Sequence, residues 1–312
     1  MIKLYLSFNS IVINVLILTS EVFVEHCAEY IDCGFVHLGY VKVIILGIFQ
    51  GVTELVPISS TAHMRVIPSL FGWQDPGTAF SAAMQLAGFF AVMVYFRKEI
   101  FNISSSFLKG VFQRSYKDHG FKMGFGIILA TIPVGVFGLL LKGLLNQPQS
   151  PFRSLYVIGF SSIVMGLLLI FAEKLSKHKR RFEELTIKDC ILVGLAQAFA
   201  LIPGVSRSGS TMTAALFLGM KRDCAAAFSF ILGVPAILAA GLKELYELYV
   251  ANLSLYAWKI LSVGLISASI AAFLAVYGLL KYLEHRSMYL FVWYRVIMGV
   301  GIVIGAYLSW FH

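Results

Sequence analysis

Apolar segments long enough to cross a lipid bilayer recur along the whole chain, and no other feature limits its fold as strongly. The 312 residues have a mean hydropathy of +0.83, and only 13% of them are charged. A transmembrane helix needs roughly 20 consecutive apolar residues. Segments close to this length occupy residues 79–96, 124–141, 155–172, 228–249, 258–280 and 289–310. The sequence therefore predicts an all-α polytopic membrane protein, and no succession of alternating strands indicates a membrane β-barrel.

The net charge of +9 comes from short loops rather than from a nucleic-acid-binding surface. Most lysines and arginines lie at the ends of the apolar segments, and the most basic loops occupy residues 97–122 and 174–188. Basic loops remain in the cytoplasm according to the positive-inside rule. We therefore expect both loops on the cytoplasmic side of the membrane, and nucleic acid is not an expected partner.

Residues 1–40 precede the rest of the chain as an N-terminal extension. Its single apolar run, at residues 11–18, follows Lys3, and no clear small-x-small cleavage site comes after it. These features favour an uncleaved signal-anchor helix over a secretory signal peptide. The remaining residues, 41–312, are predicted to form a single membrane-embedded domain.

Two polar clusters lie between apolar segments that are each too short to cross a bilayer. The first cluster, residues 50–65, reads QGVTELVPISSTAHMR, and the second, residues 203–211, reads PGVSRSGST. Irregular backbone at membrane depth is tolerated where it is buried in protein or lines a cavity. Ionisable residues at that depth indicate a functional site. Each cluster is therefore predicted to form the turn of a re-entrant helical hairpin.

The two clusters resemble each other and indicate an internal repeat. Gln50 and Gln197 occupy matching positions, as do Phe80 and Phe228. Each repeat, at about 41–173 and about 188–312, is predicted to contain one re-entrant hairpin followed by three transmembrane helices. Three crossings reverse the side of the membrane, so the second repeat is predicted to be inverted. The two hairpins would then meet near the midplane, where such repeats place a binding site.

The second cluster has the residue types of a phosphate-binding turn. Gly204 lets backbone approach a ligand closely. Arg207 provides a planar guanidinium that suits phosphate oxygens, at the predicted N-terminus of a helix. The spacing does not match the nucleotide-binding P-loop, which also needs a lysine.

The first cluster has the residue types of a nucleophile and its base. Ser60 and His63 are three residues apart, so they share one face of a helix that begins near Ser60. A serine nucleophile needs an adjacent base, and either Glu54 or His63 could serve. The sequence leaves the orientation of two other polar side chains open. Gln85 lies in the middle of a predicted span and could face the cavity. Arg295 is either an anchor at the membrane interface or a charge that points into the protein.

The two clusters also carry a family resemblance. QGVTELVPISSTAH at 50–63 and PGVSRSGST at 203–211 resemble the signature motifs of the bacterial undecaprenyl-diphosphate phosphatases, the bacitracin-resistance (BacA/UppP) family. The family patterns are [E/Q]xxxE followed by PxSSTxH, and PGxSRSxxT. Both are present in order, and Tyr294-Arg295 also looks like a family segment. The resemblance extends from about residue 41 to the C-terminus.

The resemblance implies a multi-pass enzyme of the bacterial inner membrane that hydrolyses undecaprenyl diphosphate to undecaprenyl phosphate and inorganic phosphate. It implies recycling of this lipid carrier for cell-wall synthesis, bacitracin resistance and a divalent cation cofactor, Mg²⁺ or Ca²⁺. It also implies that the site is reached from the periplasm. The expected partners are the lipid substrate and membrane lipid, with a homodimer as an option.

The resemblance also implies roles for particular residues. Ser60 is the implied nucleophile, Glu54 and His63 are acid–base or metal-binding groups, and Arg207 completes the catalytic set. The implied diphosphate-binding residues are Ser59, Thr61, Gly204, Ser206, Ser208 and Thr211. Glu54 is the implied metal ligand. Gln50 is a weaker one, because many family members carry a glutamate at that position and a neutral amide binds a cation less well than a carboxylate does.

A polyprenyl-phosphate transporter or flippase is the alternative function, since inverted repeats that meet at the midplane are typical of transporters. A carrier needs cations for the phosphate but no nucleophile–base pair. The combination of Ser60 with Glu54 and His63 therefore favours hydrolysis.

Overall fold

The computed structural model describes residues 34–145, Ser150 and residues 154–310. Regular structure in this part is helical, apart from one isolated β-bridge between Arg180 and Met220. The predicted N-terminal helix falls on residues before 34 and so lies outside the described residues. The described chain begins with a short 3-10 helix, Gly34–His37.

The described residues form twelve α-helices. They are α1 (Gly39–Leu55), α2 (Ser60–Leu70), α3 (Thr78–Met84), α4 (Leu86–Tyr95), α5 (Arg97–Gln113), α6 (His119–Leu145), α7 (Leu155–Leu175), α8 (Ile187–Ala198), α9 (Arg207–Phe217), α10 (Arg222–Val250), α11 (Leu255–Leu283) and α12 (Tyr289–Tyr307). Five of them, α6, α7 and α10 to α12, are long and apolar enough to cross a membrane, and the bent pair Ala79–Tyr95 and Arg97–Gln113 would make a sixth span. The predicted all-α polytopic architecture is confirmed.

The short helices α1 and α2 are joined by a turn at residues 56–59. Helices α8 and α9 are joined by residues 199–206, which begin with the 3-10 helix Phe199–Leu201. Both second helices start after a serine with positive φ, Ser59 at 73° and Ser206 at 70°. Positive φ is uncommon for residues other than glycine. Each serine accepts a hydrogen bond from the backbone N–H three residues later, from Ala62 and from Gly209. The two turns therefore have the same local geometry at matching sequence positions.

The short helices pack closely against long helices from the other half of the chain. Helix α1 packs along α11, and α8 packs along α6. Glycines allow both contacts, because a Cβ on Gly51 would lie 2.2 Å from the Ala268 carbonyl oxygen and one on Gly194 would lie 2.4 Å from the Ala130 Cα. Small residues let membrane helices approach in this way. Helices α7 and α12 form a further close pair.

The predicted span at 79–96 is interrupted only at Gln85, where α3 and α4 meet. The expectation of a loop at residues 97–122 was wrong. The predicted loop at 97–122 contains the 17-residue helix α5, which is bent by 84° from the preceding helix. Helix α5 alternates apolar residues with serines and charged residues, so its sequence lacks the continuous apolar run that identifies a span.

Candidate active site

Ser60 and Glu54 form a hydrogen-bonded pair where α1 and α2 meet. Ser60, the first residue of α2, donates from Oγ to Glu54 Oε2 over 2.8 Å. The Glu54 side chain is buried near the end of α1 and also accepts from Gln50 Nε2 over 3.0 Å. A hydroxyl held by a carboxylate in this way is the arrangement of an activated serine nucleophile. Of the two candidate bases, Glu54 is the one that contacts Ser60.

His63 faces Tyr294 of α12 rather than Ser60. Its Nδ1 lies 2.7 Å from the Ser59 carbonyl oxygen, and its Nε2 lies 2.6 Å from the Tyr294 hydroxyl. A carbonyl oxygen only accepts, so Nδ1 carries the proton, and in the neutral ring Nε2 accepts from Tyr294. The two rings are stacked, with centroids 5.6 Å apart and planes 6° from parallel. Tyr294 is thus a site residue for which the sequence had suggested no role.

Arg207 links the second turn to the first. Its Nη2 lies 3.4 Å from Glu54 Oε1, and both side chains are largely buried. The second terminal nitrogen, Nη1, is buried with no hydrogen-bond partner among the described residues. It lies where a side chain on Gly233 would be, 1.8 Å from an ideal Cβ at that position. Glu54 therefore receives donors from both clusters, a link through one carboxylate that the sequence did not predict.

The hydroxyl groups of the second turn bond to the protein itself. Ser206 contacts Ser208, whose hydroxyl donates to the backbone carbonyl of Val56 over 3.1 Å and of Glu54 over 3.3 Å. Thr211 donates to the Arg207 carbonyl over 2.8 Å and contacts the Ser229 hydroxyl. These hydroxyls hold the two turns together and fix the start of α9.

Arg295 lies behind both turns with its guanidinium fully buried. It donates to the carbonyl oxygens of Pro57 over 3.0 Å, Gly204 over 2.7 Å and Val205 over 2.9 Å. No carboxylate pairs with it among the described residues. This settles the orientation that the sequence left open, since Arg295 points inward and joins the first turn to the second.

Gly204 adopts a backbone conformation that disfavours other residues, with φ at 91°. A Cβ there would lie 2.1 Å from Ser161 Oγ and 2.4 Å from the Ile158 carbonyl oxygen. The turn therefore packs directly on α7, and the Gly204 carbonyl remains available to Arg295. Glycine at this position serves close packing of the turn rather than contact with the cavity.

A cavity of about 270 Å³ opens beside Ser60. Gln50, Ser60 and Thr61 line it, together with Gln85 at the junction of α3 and α4. Gln85 therefore faces the cavity, which the sequence left open. The remaining lining residues are Met64, Arg65, Asp75, Gly77, Ser81, Ala82, Ile158, Leu201 and Pro203. Ser59, in contrast, is buried as the cap of α2.

The oxygen ligands near Ser60 would fit a metal cation that is also bound by phosphate oxygens of a substrate. Among the described residues, no group of three or more His, Cys, Asp or Glu side chains could enclose a metal ion. Glu54 offers one carboxylate beside the Gln50 amide. One or two carboxylates together with substrate phosphates are the usual Mg²⁺ environment in phosphoryl-transfer sites.

Comparison with known proteins supports the motif assignment over most of the chain. Residues 43–301 match the family described as "Bacitracin resistance protein BacA". "Undecaprenyl-diphosphatase 2" from Mesorhizobium japonicum is 52% identical over 261 residues, covering 84% of this chain and 99% of the relative. "Undecaprenyl-diphosphatase" from Trichormus variabilis is 45% identical over 295 residues, covering 94% and 92%. The corresponding protein from Synechocystis sp. is 51% identical over 260 residues, covering 83% and 80%. With both motifs joined in one buried site, the chain belongs to the BacA family of bacitracin resistance proteins.

Proposed function

We propose that this protein hydrolyses undecaprenyl diphosphate to undecaprenyl phosphate and inorganic phosphate. The observation that carries the proposal is the hydrogen bond from Ser60 Oγ to Glu54 Oε2, 2.8 Å long, next to the Arg207 guanidinium. The names of the relatives supply the substrate. Recycling of the lipid carrier and bacitracin resistance follow from this activity and from the family description.

The first chemical step uses the Ser60–Glu54 pair. Ser60 Oγ attacks the terminal phosphorus while Glu54 takes its proton. The bond from that phosphorus to the bridging oxygen breaks, and undecaprenyl phosphate leaves with the bridging oxygen. Phosphoryl transfer depends mainly on positioning and on positive charge near the equatorial oxygens. We assign that charge to Arg207, which lies on the other side of the Glu54 carboxylate.

The second step releases phosphate from Ser60. Water attacks the phosphoserine, the bond between phosphorus and Oγ breaks, and Glu54 returns its proton to Oγ. His63 Nε2, which accepts from Tyr294 in this structure, is the remaining base of the site. We assign to it the proton of the attacking water by way of Tyr294, whose hydroxyl takes that proton as it gives its own to Nε2. His63 then releases a proton to solvent. His63 therefore acts after Glu54 in this scheme and not as the base for Ser60.

We also propose a bound divalent cation, Mg²⁺ or Ca²⁺. Glu54 and the weaker ligand Gln50 would hold it together with phosphate oxygens of the substrate. When bound, such an ion neutralises phosphate charge. The roles of Ser59, Ser206, Ser208 and Thr211 are proposed to be indirect, because their hydroxyls bond to the protein, whereas Thr61 lines the cavity.

The membrane in which the protein lies, its inverted repeat and the side from which its site is reached belong to the same proposal. We place the protein in the inner membrane, with an inverted repeat and a site reached from the periplasm. Matching turn geometry at Ser59 and Ser206 supports the repeat. The homodimer stays a prediction, which size-exclusion chromatography with light scattering would test. The flippase alternative is not favoured, because a carrier needs no serine held by a carboxylate.

The test is hydrolysis of undecaprenyl diphosphate by the purified protein in detergent. We expect equal amounts of inorganic phosphate and undecaprenyl phosphate, and loss of activity with a chelator. The Gln50→Glu variant should need less Mg²⁺ for half-maximal rate, because a carboxylate replaces an amide beside Glu54. Binding of the lipid without any release of phosphate would favour the transporter instead.

A further inference from the structure

The cavity beside Ser60 has one cationic side chain among its described lining residues, and that residue is Arg65. Arg207 does not line the cavity; its side chain is 13% exposed and its guanidinium is directed to Glu54. Gln50, Thr61, Ser81 and the other polar lining residues carry no positive charge. A diphosphate carries several negative charges. Because Arg207 is assigned to the terminal phosphate, Arg65 is the cationic lining residue that remains for the second phosphate.

Arg65 and Ser60 lie on the same wall of the cavity. Ser60, Thr61, Met64 and Arg65 all line it from α2. Residues four apart lie on one face of a helix, and five residues advance along the axis by roughly 7.5 Å. Thr61 and Arg65 are four residues apart and share one face of α2, and Ser60 borders the same cavity at the start of the helix. A group bound at Ser60 that extends along this wall would reach Arg65 next.

Arg65 is held by an ion pair that a substrate could replace. Its guanidinium contacts Asp75, and the two side chains are 44% and 41% exposed. Asp75 is itself fixed, since its Oδ1 accepts from the Gly77 backbone N–H over 2.9 Å. An exposed ion pair contributes little to stability. A phosphate offers more negative charge than Asp75 and can accept two hydrogen bonds from one guanidinium.

We propose that Arg65 binds the lipid-proximal phosphate of the diphosphate, and that Asp75 holds the guanidinium in place until substrate arrives. This inference rests on the proposed function, which requires the terminal phosphate to lie over Ser60. The second phosphate then lies one bridging oxygen further along, on the wall that Arg65 completes. Arg65 is a substrate-binding residue in this account, whereas Ser60 and Glu54 perform the chemistry.

The test compares Arg65→Gln, Arg65→Lys and Asp75→Asn with the wild-type protein. The readouts are steady-state kinetics on undecaprenyl diphosphate and calorimetric binding of inorganic pyrophosphate. Loss of one charge-assisted contact should raise KM and weaken pyrophosphate binding about tenfold in Arg65→Gln. Its kcat should change less than about threefold, because the contact exists before and during the reaction. Arg65→Lys should recover part of the loss, and Asp75→Asn should bind pyrophosphate more tightly than wild type, because no carboxylate then competes for the guanidinium.

Two results would overturn the assignment. One is an unchanged KM and unchanged pyrophosphate binding in Arg65→Gln. The other is an equal loss of pyrophosphate binding in Arg65→Gln and Asp75→Asn together with equally lowered melting temperatures. That result would mean that the ion pair only stabilises the packing of α2 against the following loop. Failure of the proposed function is a separate result, since a wild-type protein that binds pyrophosphate through Arg65 but releases no phosphate from the lipid would contradict hydrolysis alone.

Discussion

At the residue scale, Glu54 joins the two sequence motifs. Its carboxylate accepts from Gln50, Ser60 and Arg207, so one buried group receives donors from both turns. A buried carboxylate is tolerated where several donors satisfy it. The sequence named Glu54, Ser60 and Arg207 as site residues because each motif keeps its polar residues within a few positions, but it did not predict the pairing of Arg207 with Glu54. It could not predict which base contacts Ser60, since that depends on how the turn at residues 55–59 orients α1 and α2.

Tyr294 and Arg295 show what sequence spacing cannot reveal. The His63–Tyr294 bond joins residues 231 positions apart, and the Arg295–Pro57 bond joins residues 238 positions apart. Both contacts depend on where α12 packs. Two signals were available: the resemblance of Tyr294-Arg295 to a family segment, and the cost of placing an arginine in an apolar span, which favours an inward functional role.

Replacement of Tyr294 by Phe should slow turnover while preserving the fold. The variant keeps the ring that stacks on His63 but removes the hydroxyl bonded to Nε2. Loss of one hydrogen bond of about 1 kcal/mol corresponds to roughly fivefold in kcat. Phosphate release measures the effect, and Tyr289→Phe on the same helix is the control. An unchanged kcat in Tyr294→Phe would remove the hydroxyl from the mechanism.

Replacement of Gly233 by Ala should displace Arg207 without weakening the protein. The new Cβ would lie 1.8 Å from Arg207 Nη1, the flexible end of that side chain. Alanine is also the better residue in a helix, by about 0.5–1 kcal/mol. We expect at least about a tenfold lower kcat, consistent with loss of an electrostatic contact to the transition state, at an unchanged melting temperature. Gly278→Ala, whose Cβ meets no atom within 4 Å, is the matched control.

Two results for Gly233→Ala would contradict this prediction. Full activity would mean that Arg207 does not need the space over Gly233. A lowered melting temperature with proportionate loss of activity would show a general packing defect instead.

At the element scale, glycines determine how closely the short helices approach their long partners. Gly51 of α1 faces the Ala268 carbonyl oxygen of α11, and Gly194 of α8 faces Ala130 of α6. The sequence predicted the two short hairpins from their interrupted apolar runs. It did not predict which long helix each one contacts, because apolar faces in a membrane carry no hydrophobic preference for protein over lipid.

Gly51→Val should destabilise the protein through the α1–α11 contact. The Cβ would lie 2.2 Å from a backbone oxygen, which cannot move as a side chain end can. Overpacking costs typically ~1–3 kcal/mol, so we expect a lower melting temperature in detergent. Gly278→Val, on the open face of α11, should melt like wild type. Equal melting temperatures for the two variants would contradict the close packing.

Helix α5 and the break at Gln85 are the elements that the sequence missed. Part of α5 packs on the protein, with Ile100, Ile103 and Phe107 beside an apolar crevice against α6 and α10. Other apolar residues of α5 face outward, with Phe101 71% and Phe112 83% exposed. Charged residues and serines interrupt the apolar residues of α5, so the segment lacked the continuous apolar run of a span and was predicted as a loop.

At the scale of the whole molecule, the ends of the helices fall into two groups. One apolar cluster joins Phe35, Ile67, Phe80, Leu248 and Leu253. Another joins Phe96, Leu185, Met220, Leu283 and Met288, which flank the basic loops. The grouping agrees with the expected orientation, in which the basic end lies in the cytoplasm.

Cysteine labelling in intact cells would test this orientation. In a variant that lacks the four native cysteines, Gln74→Cys should react with a membrane-impermeant maleimide from outside. Lys177→Cys should react only after permeabilisation, because it lies in a basic loop. Both positions are exposed on the protein, so either can serve as the labelling control for the other. The reverse labelling pattern would mean that the cavity beside Ser60 opens to the cytoplasm.

The most direct measurement of the central claim is phosphate release from undecaprenyl diphosphate by Ser60→Ala. Ser262→Ala, an exposed serine on α11 that donates to the Trp258 carbonyl, is the matched control. If Ser60 is the nucleophile held by Glu54, the Ser60→Ala rate should fall by at least about 100-fold at an unchanged melting temperature, while the control keeps the wild-type rate. A Ser60→Ala protein that releases phosphate at the wild-type rate would contradict the account.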